Sequence, residues 1–349
     1  MYNLKEYGYI ETETPAEGLL PARIIAVHKG RYELVSNQGQ GFGKLKTSVY
    51  YGKEPVVFPT VGDFVFVSEA AGGDCQIVKT LPRRSYFARL DPDPVGGREQ
   101  AVAANFDYVF IMTSLNQDFN VNRIERYLVL ARQSGAVPVV ILTKADLTAG
   151  LEPLVLQVRS AAEGVDVIAV SVRDGMGLDR LGALLVPGKT AVFLGMSGVG
   201  KSTLTNALMG AEVMDAKAIR EDDSRGRHTT THRQLFMLPS GAMVIDTPGM
   251  RSIGMWEAAN GLSETFSDVE ALMASCRFSD CSHKTEPGCA VRGAIEDETL
   301  TEARLQKYLA LRRESAYAED KASFIRERRE KFKAFAKYHK KNYTDKRKF

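Results

Sequence analysis

Two kinds of apolar spacing divide this chain. From Leu20 to about Leu81 the apolar positions come in short bursts: Ala22–Val27, Arg31–Val35, Pro55–Phe58, Asp63–Val67 and Cys75–Val78. Gly30, the run Asn37–Gly43, Gly62 and Gly72-Gly73 separate them. Short apolar segments broken by glycine predict about five strands closed into a small barrel, such as the OB-fold. Residues 1–19 are polar and without period, and read as a loose lead-in. Residues 86–104 contain Asp91-Pro-Asp-Pro-Val-Gly-Gly97, which breaks any regular element, and read as a linker.

From Phe106 the texture changes. Tyr108–Met112, Val137–Leu142, Val165–Val170, Ala191–Leu194, Gln234–Leu238 and Ala242–Asp246 are apolar runs of strand length. Between them Val121–Ser134, Leu151–Ala162 and Leu204–Met209 carry helical spacing. Buried strands alternating with helices predict a doubly wound α/β sheet over 105–254. Residues 255–349 are mainly helical in pattern, with helices expected over Thr299–Glu319 and Ala322–Lys337.

Composition adds two points. The formal charge of +3 hides a basic tail, because residues 321–349 hold 12 Lys/Arg against 3 Asp/Glu. Such a tail is a nucleic-acid arm or a solvated helix face. Arg326, Arg329 and Lys333 could hold phosphates. In the barrel, aromatic side chains with Lys44 and Lys46 could form an RNA surface, or the aromatics could be core. No apolar run is long enough to span a bilayer and no secretory h-region opens the chain, so a cytoplasmic protein is expected.

The chemistry gathers around Gly195-Met196-Ser197-Gly198-Val199-Gly200-Lys201-Ser202-Thr203. This fits the P-loop pattern, and a strand before it and a helix after it supply the required context. Glycines let backbone N–H groups wrap a phosphate, Lys201 reaches the β- and γ-phosphates, and Ser202 can ligate Mg²⁺. Asp246-Thr-Pro-Gly249 ends a later strand. There Asp246 would hold Mg²⁺ through water, and the Gly249 N–H would sense the γ-phosphate. His228-Thr-Thr-Thr231 lies in the Arg-rich loop between these segments, where one Thr, taken as Thr230, would ligate Mg²⁺.

Thr143-Lys144-Ala145-Asp146 follows a strand and looks like the guanine-reading Asn-Lys-x-Asp element. Asp146 can accept guanine N1–H and the 2-amino group together, a donor pair that adenine lacks, and Lys144 would lie along the base. Thr143 departs from the usual Asn, and the tie between this loop and the P-loop is the point that departure touches. Ser171-Val-Arg173 resembles the last guanine element, usually Ser-Ala. In a Ras-like GTPase these base-reading loops follow the P-loop; here they precede it, so the chain is circularly permuted. Met250 stands where a water-orienting Gln would be. His228 is the candidate to orient the attacking water.

Cys276, Cys281, His283 and Cys289 fall within fourteen residues. Three thiolates and one imidazole are a ligand set for one tetrahedral structural Zn²⁺, with Glu286-Pro-Gly288 turning the chain back.

Taken together, the barrel, the permuted order and the segment from Cys276 to Cys289 resemble the bacterial small ribosomal subunit-dependent GTPase A family over roughly residues 20–320. The resemblance implies an OB-fold domain, a GTPase and a zinc domain, which are expected at 20–85, at 105–254 and in the helical segment 255–349, whose basic tail lies beyond the resemblance. It implies GTP hydrolysis stimulated by the small subunit, late maturation of that subunit, and contact with its rRNA. In that family a switch-loop His is the proposed catalytic residue, which matches His228. A monomer is expected. The competing readings are an RNA-binding assembly chaperone with incidental hydrolysis, and a P-loop kinase of small molecules. The kinase leaves Asp146 and the metal cluster unexplained.

Overall fold

Short apolar stretches form the strands Leu19–His28 (β1), Arg31–Ser36 (β2) and Gly39–Leu45 (β3), followed by a helical turn at Thr47–Tyr50 (α1), then Phe64–Ser68 (β4) and Cys75–Thr80 (β5), with Ala22–Ala26 of β1 and Phe64–Val67 of β4 buried throughout. This is a computed structural model and describes residues 2–51, 56–69, 73–90, 99–116, 119–212, 233–246, 258–318 and 320. Strand β1 pairs with β2 and β4, β2 with β3, β3 in parallel with β5, and β4 with β5, which closes an OB-like barrel. Its interior is filled by Ala22, Ile24, Leu34, Tyr50, Val65, Val67 and Ile77. Strand β3 lies in the glycine run that reads from sequence as loop. Gly43 explains why: a Cβ there would press on Leu34, Ile77 and the Cys75 carbonyl, so the barrel needs a residue without a side chain. Of the expected strand Pro55–Phe58, Pro55 lies outside the described residues and 56–58 form no strand; Val56 and Phe58 pack against the barrel core.

The lead-in is not loose. Leu4 and Tyr7 are buried, the Leu4 N–H donates to Asn37 Oδ1 at 2.7 Å, and turns close around Gly8. Two buried side chains and the bonds to Asn37 and Arg23 dock this short segment. Residues 86–104 likewise carry strands Tyr86–Leu90 (β6) and Glu99–Ala104 (β7), paired as a two-stranded sheet. Phe87 stacks on Phe106 with ring centres 5.0 Å apart, an anchor that the Pro- and Gly-rich run hid.

The α/β elements follow: Tyr108–Ser114 (β8), Val121–Gln133 (α2), Val137–Thr143 (β9), Leu151–Ala161 (α3), Asp166–Val170 (β10), Leu178–Leu184 (α4), Thr190–Gly195 (β11), Lys201–Met209 (α5), Arg233–Met237 (β12) and Met243–Asp246 (β13). Helix α2 starts where the Asn120 side chain accepts the Arg123 N–H, an N-cap that sequence spacing alone did not weigh. The sheet runs β10-β9-β8-β11-β13-β12 and continues through β1 into the barrel. Strands β8, β9, β10, β11 and β13 are parallel, and β12 is antiparallel. A bulge between Ile24 and Ala26 lets β1 serve both parts: Leu19–Arg23 pair with β4, and Ala26 and Val27 with β12.

Arg23 sits at that junction, fully buried. Its guanidinium donates to the carbonyls of Gly62, Tyr7 and Asn105, to Thr190 Oγ1 and to the Met243 sulfur. Burial pulls its pKa down to about 9, and the ring of acceptors is what lets the charge stay.

Contacts divide the chain into two units, Met1–Phe87 with Ala101–Ser252, and Ala88–Gln100 with Ile253–Phe349. The second holds helices Ala259–Thr265 (α6), Ser267–Ala274 (α7), Ala290–Glu296 (α8) and 302–318 (α9). Arg304 fastens α9 to α7 through two 3.0 Å bonds to Asp268, and lies over the Phe266 ring. The expected helix Ala322–Lys337 lies outside the described residues. No helix among the described residues is long and apolar enough to cross a membrane.

Candidate functional site: a phosphate loop, base-reading loops and a thiolate cluster

The parallel strands bring four separate pieces of sequence to one edge. Gly195 ends β11, Thr143 ends β9, Ser171 follows β10, and Asp246 ends β13. Register aligns Gly195 with Met112 and Thr143 with both Ser114 and Val170, so all lie at the carboxyl ends of the strands. Open α/β sheets bind ligands at that edge, where the connections diverge to the two sides. Here they diverge between β8 and β11.

Geometry explains the glycines of the phosphate loop. A Cβ on Gly195 would lie 2.7 Å from the Met112 carbonyl, so backbone meets backbone at the end of β11. Gly200, at φ +101°, turns the chain into α5. Lys201 Nζ donates to the carbonyls of Gly195 (2.9 Å) and Met196 (2.7 Å), which folds its stem over the loop. Ser202 and Thr203 occupy the first turn of α5, whose N-terminal N–H groups favour an anion. Met196 is half-buried, Ser197 and Gly198 exposed, and Val199 buried in the sheet core.

The loop that opens at Thr143 is tied to Gly195–Thr203. Thr143 Oγ1 donates to the Val199 carbonyl at 2.7 Å, with the Thr113 carbonyl 3.3 Å away. One hydroxyl makes the bridge in the place of the usual Asn side chain. Lys144 adopts a left-handed backbone at φ +57°, and a 3₁₀ turn Ala145–Leu147 follows, with Ala145 buried and Asp146 exposed. Ser171 is fully buried, and its Oγ lies 3.1 Å from Asp146 Oδ1. The sequence reading brought Ser171 to the site by analogy; the distance gives it a partner there. Asp246 is buried at the end of β13. His228, Thr230 and Gly249, with Met250, lie outside the described residues.

The thiolate cluster is built in the second unit. Cys276 Sγ lies 3.6 Å from His283 Nδ1 and 3.9 Å from Cys289 Sγ, and Cys289 Sγ lies 3.5 Å from His283 Nδ1. With Cys281 the ligand atoms all fall within 4.8 Å of one another. A tetrahedral Zn²⁺ with Zn–S of about 2.3 Å and Zn–N of about 2.0 Å requires sulfurs about 3.8 Å apart and S···N about 3.5 Å. The cluster fits a structural zinc. Partial burial alone would raise the Cys276 thiol, but the Val291 and Ala290 N–H groups hold it below its usual value, toward the thiolate a metal needs.

Glu286 was expected only as part of a turn, and it does more. Its carboxylate accepts the Ser282 hydroxyl and the N–H groups of Ser282 (2.9 Å), Lys284 (2.9 Å) and Thr285 (3.0 Å). Those donors, the Ser282 hydroxyl foremost, hold it far below the usual carboxylate range. The carboxylate thus closes the loop that presents His283, itself at φ +58°. Gly288, at φ +74°, returns the chain beside Arg277, and Cys289 caps α8 by accepting the Arg292 N–H.

Comparison with known proteins agrees with this geometry. The model of the RsgA GTPase family matches residues 80–256. The small ribosomal subunit biogenesis GTPase RsgA 1 of Listeria innocua is 43% identical over 339 residues, 96% of each chain. The small ribosomal subunit biogenesis GTPase RsgA of Streptomyces avermitilis is 46% identical over 304 residues, 86% of this chain and 80% of that one. Among solved structures, YjeQ from Thermotoga maritima superposes with a TM-score of 0.61 at 25% identity, over 84% of this chain and 97% of that one. YloQ, described as a circularly permuted GTPase, shares the fold at a TM-score of 0.59 and 23% identity, over 89% of this chain and 96% of that one. With the family model matching half of the chain, relatives 43–46% identical over most of its length, and Thr143–Asp146 placed ahead of Gly195–Thr203 in sequence, the chain belongs to the RsgA GTPase family.

Proposed function

We propose that this chain binds the small ribosomal subunit and its rRNA, hydrolyses GTP to GDP and phosphate when the subunit stimulates it, and acts in late maturation of that subunit. One observation carries the nucleotide part. Gly195–Thr203, Thr143–Asp146, Ser171 and Asp246, scattered over about a hundred residues, meet at one sheet edge. The names of the relatives support the partner: each is a small ribosomal subunit biogenesis GTPase.

In this reading the loop Gly195–Thr203 cradles the phosphates, and Lys201 leaves the Gly195 and Met196 carbonyls for the β- and γ-oxygens. Ser202 and Thr230 would hold Mg²⁺, with Asp246 beside it, and the ion would supply neutralisation of the charge that develops between the β- and γ-phosphates. Asp146 accepts guanine N1–H and the 2-amino group, Lys144 lies along the base, and Gly249 senses the γ-phosphate. His228 orients the attacking water. Cys276, Cys281, His283 and Cys289 hold one zinc, which fixes the loop without entering the reaction. The site of action is the cytoplasm, and the protein works as a monomer.

Displacement of fluorescent GDP tests the base reading. GTP should compete and ATP should not; equal competition by ATP would overturn the assignment of Asp146. Co-sedimentation with purified small subunits tests the partner. Retention that depends on the nucleotide is expected, and its absence with every nucleotide would overturn that part.

A further inference from the structure

The Ser171 hydroxyl faces a second carboxylate. Its oxygen lies 3.1 Å from Asp146 Oδ1 and 3.2 Å from Asp174 Oδ2, and it accepts the Asp174 N–H at 3.2 Å. A hydroxyl has one proton to give. The N–H of Asp174 fixes where the oxygen sits, and the two carboxylates compete for the proton it carries.

The turn that presents Asp174 is held firmly. The Ser171 N–H donates to the Met176 carbonyl at 3.1 Å. Gly175 and Gly177 both have φ above +70°, and a Cβ on Gly177 would lie 2.2 Å from the Ala169 carbonyl. The turn is therefore pressed onto the backbone of β10, which carries Ser171 on its end. Asp174 is placed by this packing and not by a chance approach of a long side chain.

We infer that Asp174 is a positioning residue that tunes guanine affinity by drawing the Ser171 proton away from Asp146. The inference rests on the reading of Asp146 as the base-reading carboxylate. A proton committed to Asp146 orients that carboxylate for guanine N1–H and the 2-amino group. A proton shared with Asp174 leaves Asp146 less firmly aimed, so guanine nucleotide is held less tightly and leaves faster.

Fluorescent GDP and IDP, with and without a 2-amino group, are the probes. Dissociation is measured for wild type, Asp174→Ala, Asp174→Asn, Ser171→Ala and the Ser171→Ala/Asp174→Ala double variant. Asp174→Ala keeps the N–H and removes the competing acceptor. It should slow GDP release about two- to fivefold, short of the tenfold that a full 1.4 kcal/mol would give. Asp174→Asn should act in the same direction but less. IDP release should change less than GDP release. In the Ser171→Ala background, removal of Asp174 should change GDP release by less than about 1.5-fold, because no proton remains to redirect.

An equal effect in both backgrounds would mean that only long-range charge acts, and would overturn the inference. Faster GDP release from Asp174→Ala would overturn it too. If GDP and ADP bind equally well, the base reading beneath it fails as well. Full preference for GDP without Asp174–Ser171 coupling overturns this inference alone.

Discussion

Thr143→Val removes one hydroxyl and keeps the shape of the side chain. In the folded protein that hydroxyl is buried, 5% exposed at residue level, and lies 2.7 Å from the Val199 carbonyl. Val199 is in the phosphate loop, and it is buried too. The substitution leaves a carbonyl without its short partner, which costs about 1–3 kcal/mol when the group cannot reach water. Both bonding groups belong to the protein, so the loss falls first on stability. For a unit of this size each kcal/mol shifts the melting temperature by about 2–4 °C, so a fall of about 2–12 °C is expected. Thr143→Ser keeps the donor and should recover most of it. Calorimetry with and without saturating GDP reads both parts. The upward shift that GDP gives should persist in Thr143→Val, with GDP affinity weakened less than tenfold. A Thr143→Val protein that melts with wild type would show that the bond carries no net stability. A protein that melts normally but loses GDP binding would place the tie in the bound complex instead.

Four further outcomes follow from the same geometry. Gly195→Ala should lose GDP binding, because its Cβ meets the Met112 carbonyl and the loop has to move; retained affinity in a displacement assay would contradict the close approach. Cys281→Ser should lower bound zinc from about one per chain to well below half, and full metal content by elemental analysis would exclude Cys281 as a ligand. Glu286→Gln should weaken zinc retention against a chelator several-fold while leaving GDP binding unchanged, and unchanged chelation kinetics would show that its four acceptor bonds do not hold the metal loop. His228→Ala should reduce subunit-stimulated turnover far more than GDP affinity, and unaltered stimulated turnover would remove His228 from catalysis.

Sequence made some parts of this protein legible because their physics is local. The strands β8, β9, β10, β11 and β13 are short apolar runs that only a buried parallel sheet accommodates, and their bounds differ from the expected ones by a few residues at most. The phosphate loop and the metal cluster are local as well, each held within one short stretch. Contacts that depend on distant chain are harder to see. Strand β3 was hidden by glycines whose need comes from Leu34 and Ile77 across the barrel. Helix α4 is only seven residues long and gave too little period to register. The docking of Leu4 and the buried guanidinium of Arg23 depend on groups up to 220 positions away. At the site, the role of Thr143 was obscured by comparison with the usual Asn, although a hydroxyl at a strand end is already a donor able to reach the next loop. Asp174 carried no sequence signal, since an Asp before Gly in a turn is ordinary turn chemistry.

Phosphate release from GTP, measured as purified small subunits are added, tests the central claim most directly. The account predicts a saturable rise of at least tenfold over the chain alone, with none from ATP and none from large subunits. A rate that stays flat while the protein still binds the small subunit would contradict it, and would leave a nucleotide-regulated RNA-binding protein whose hydrolysis is incidental.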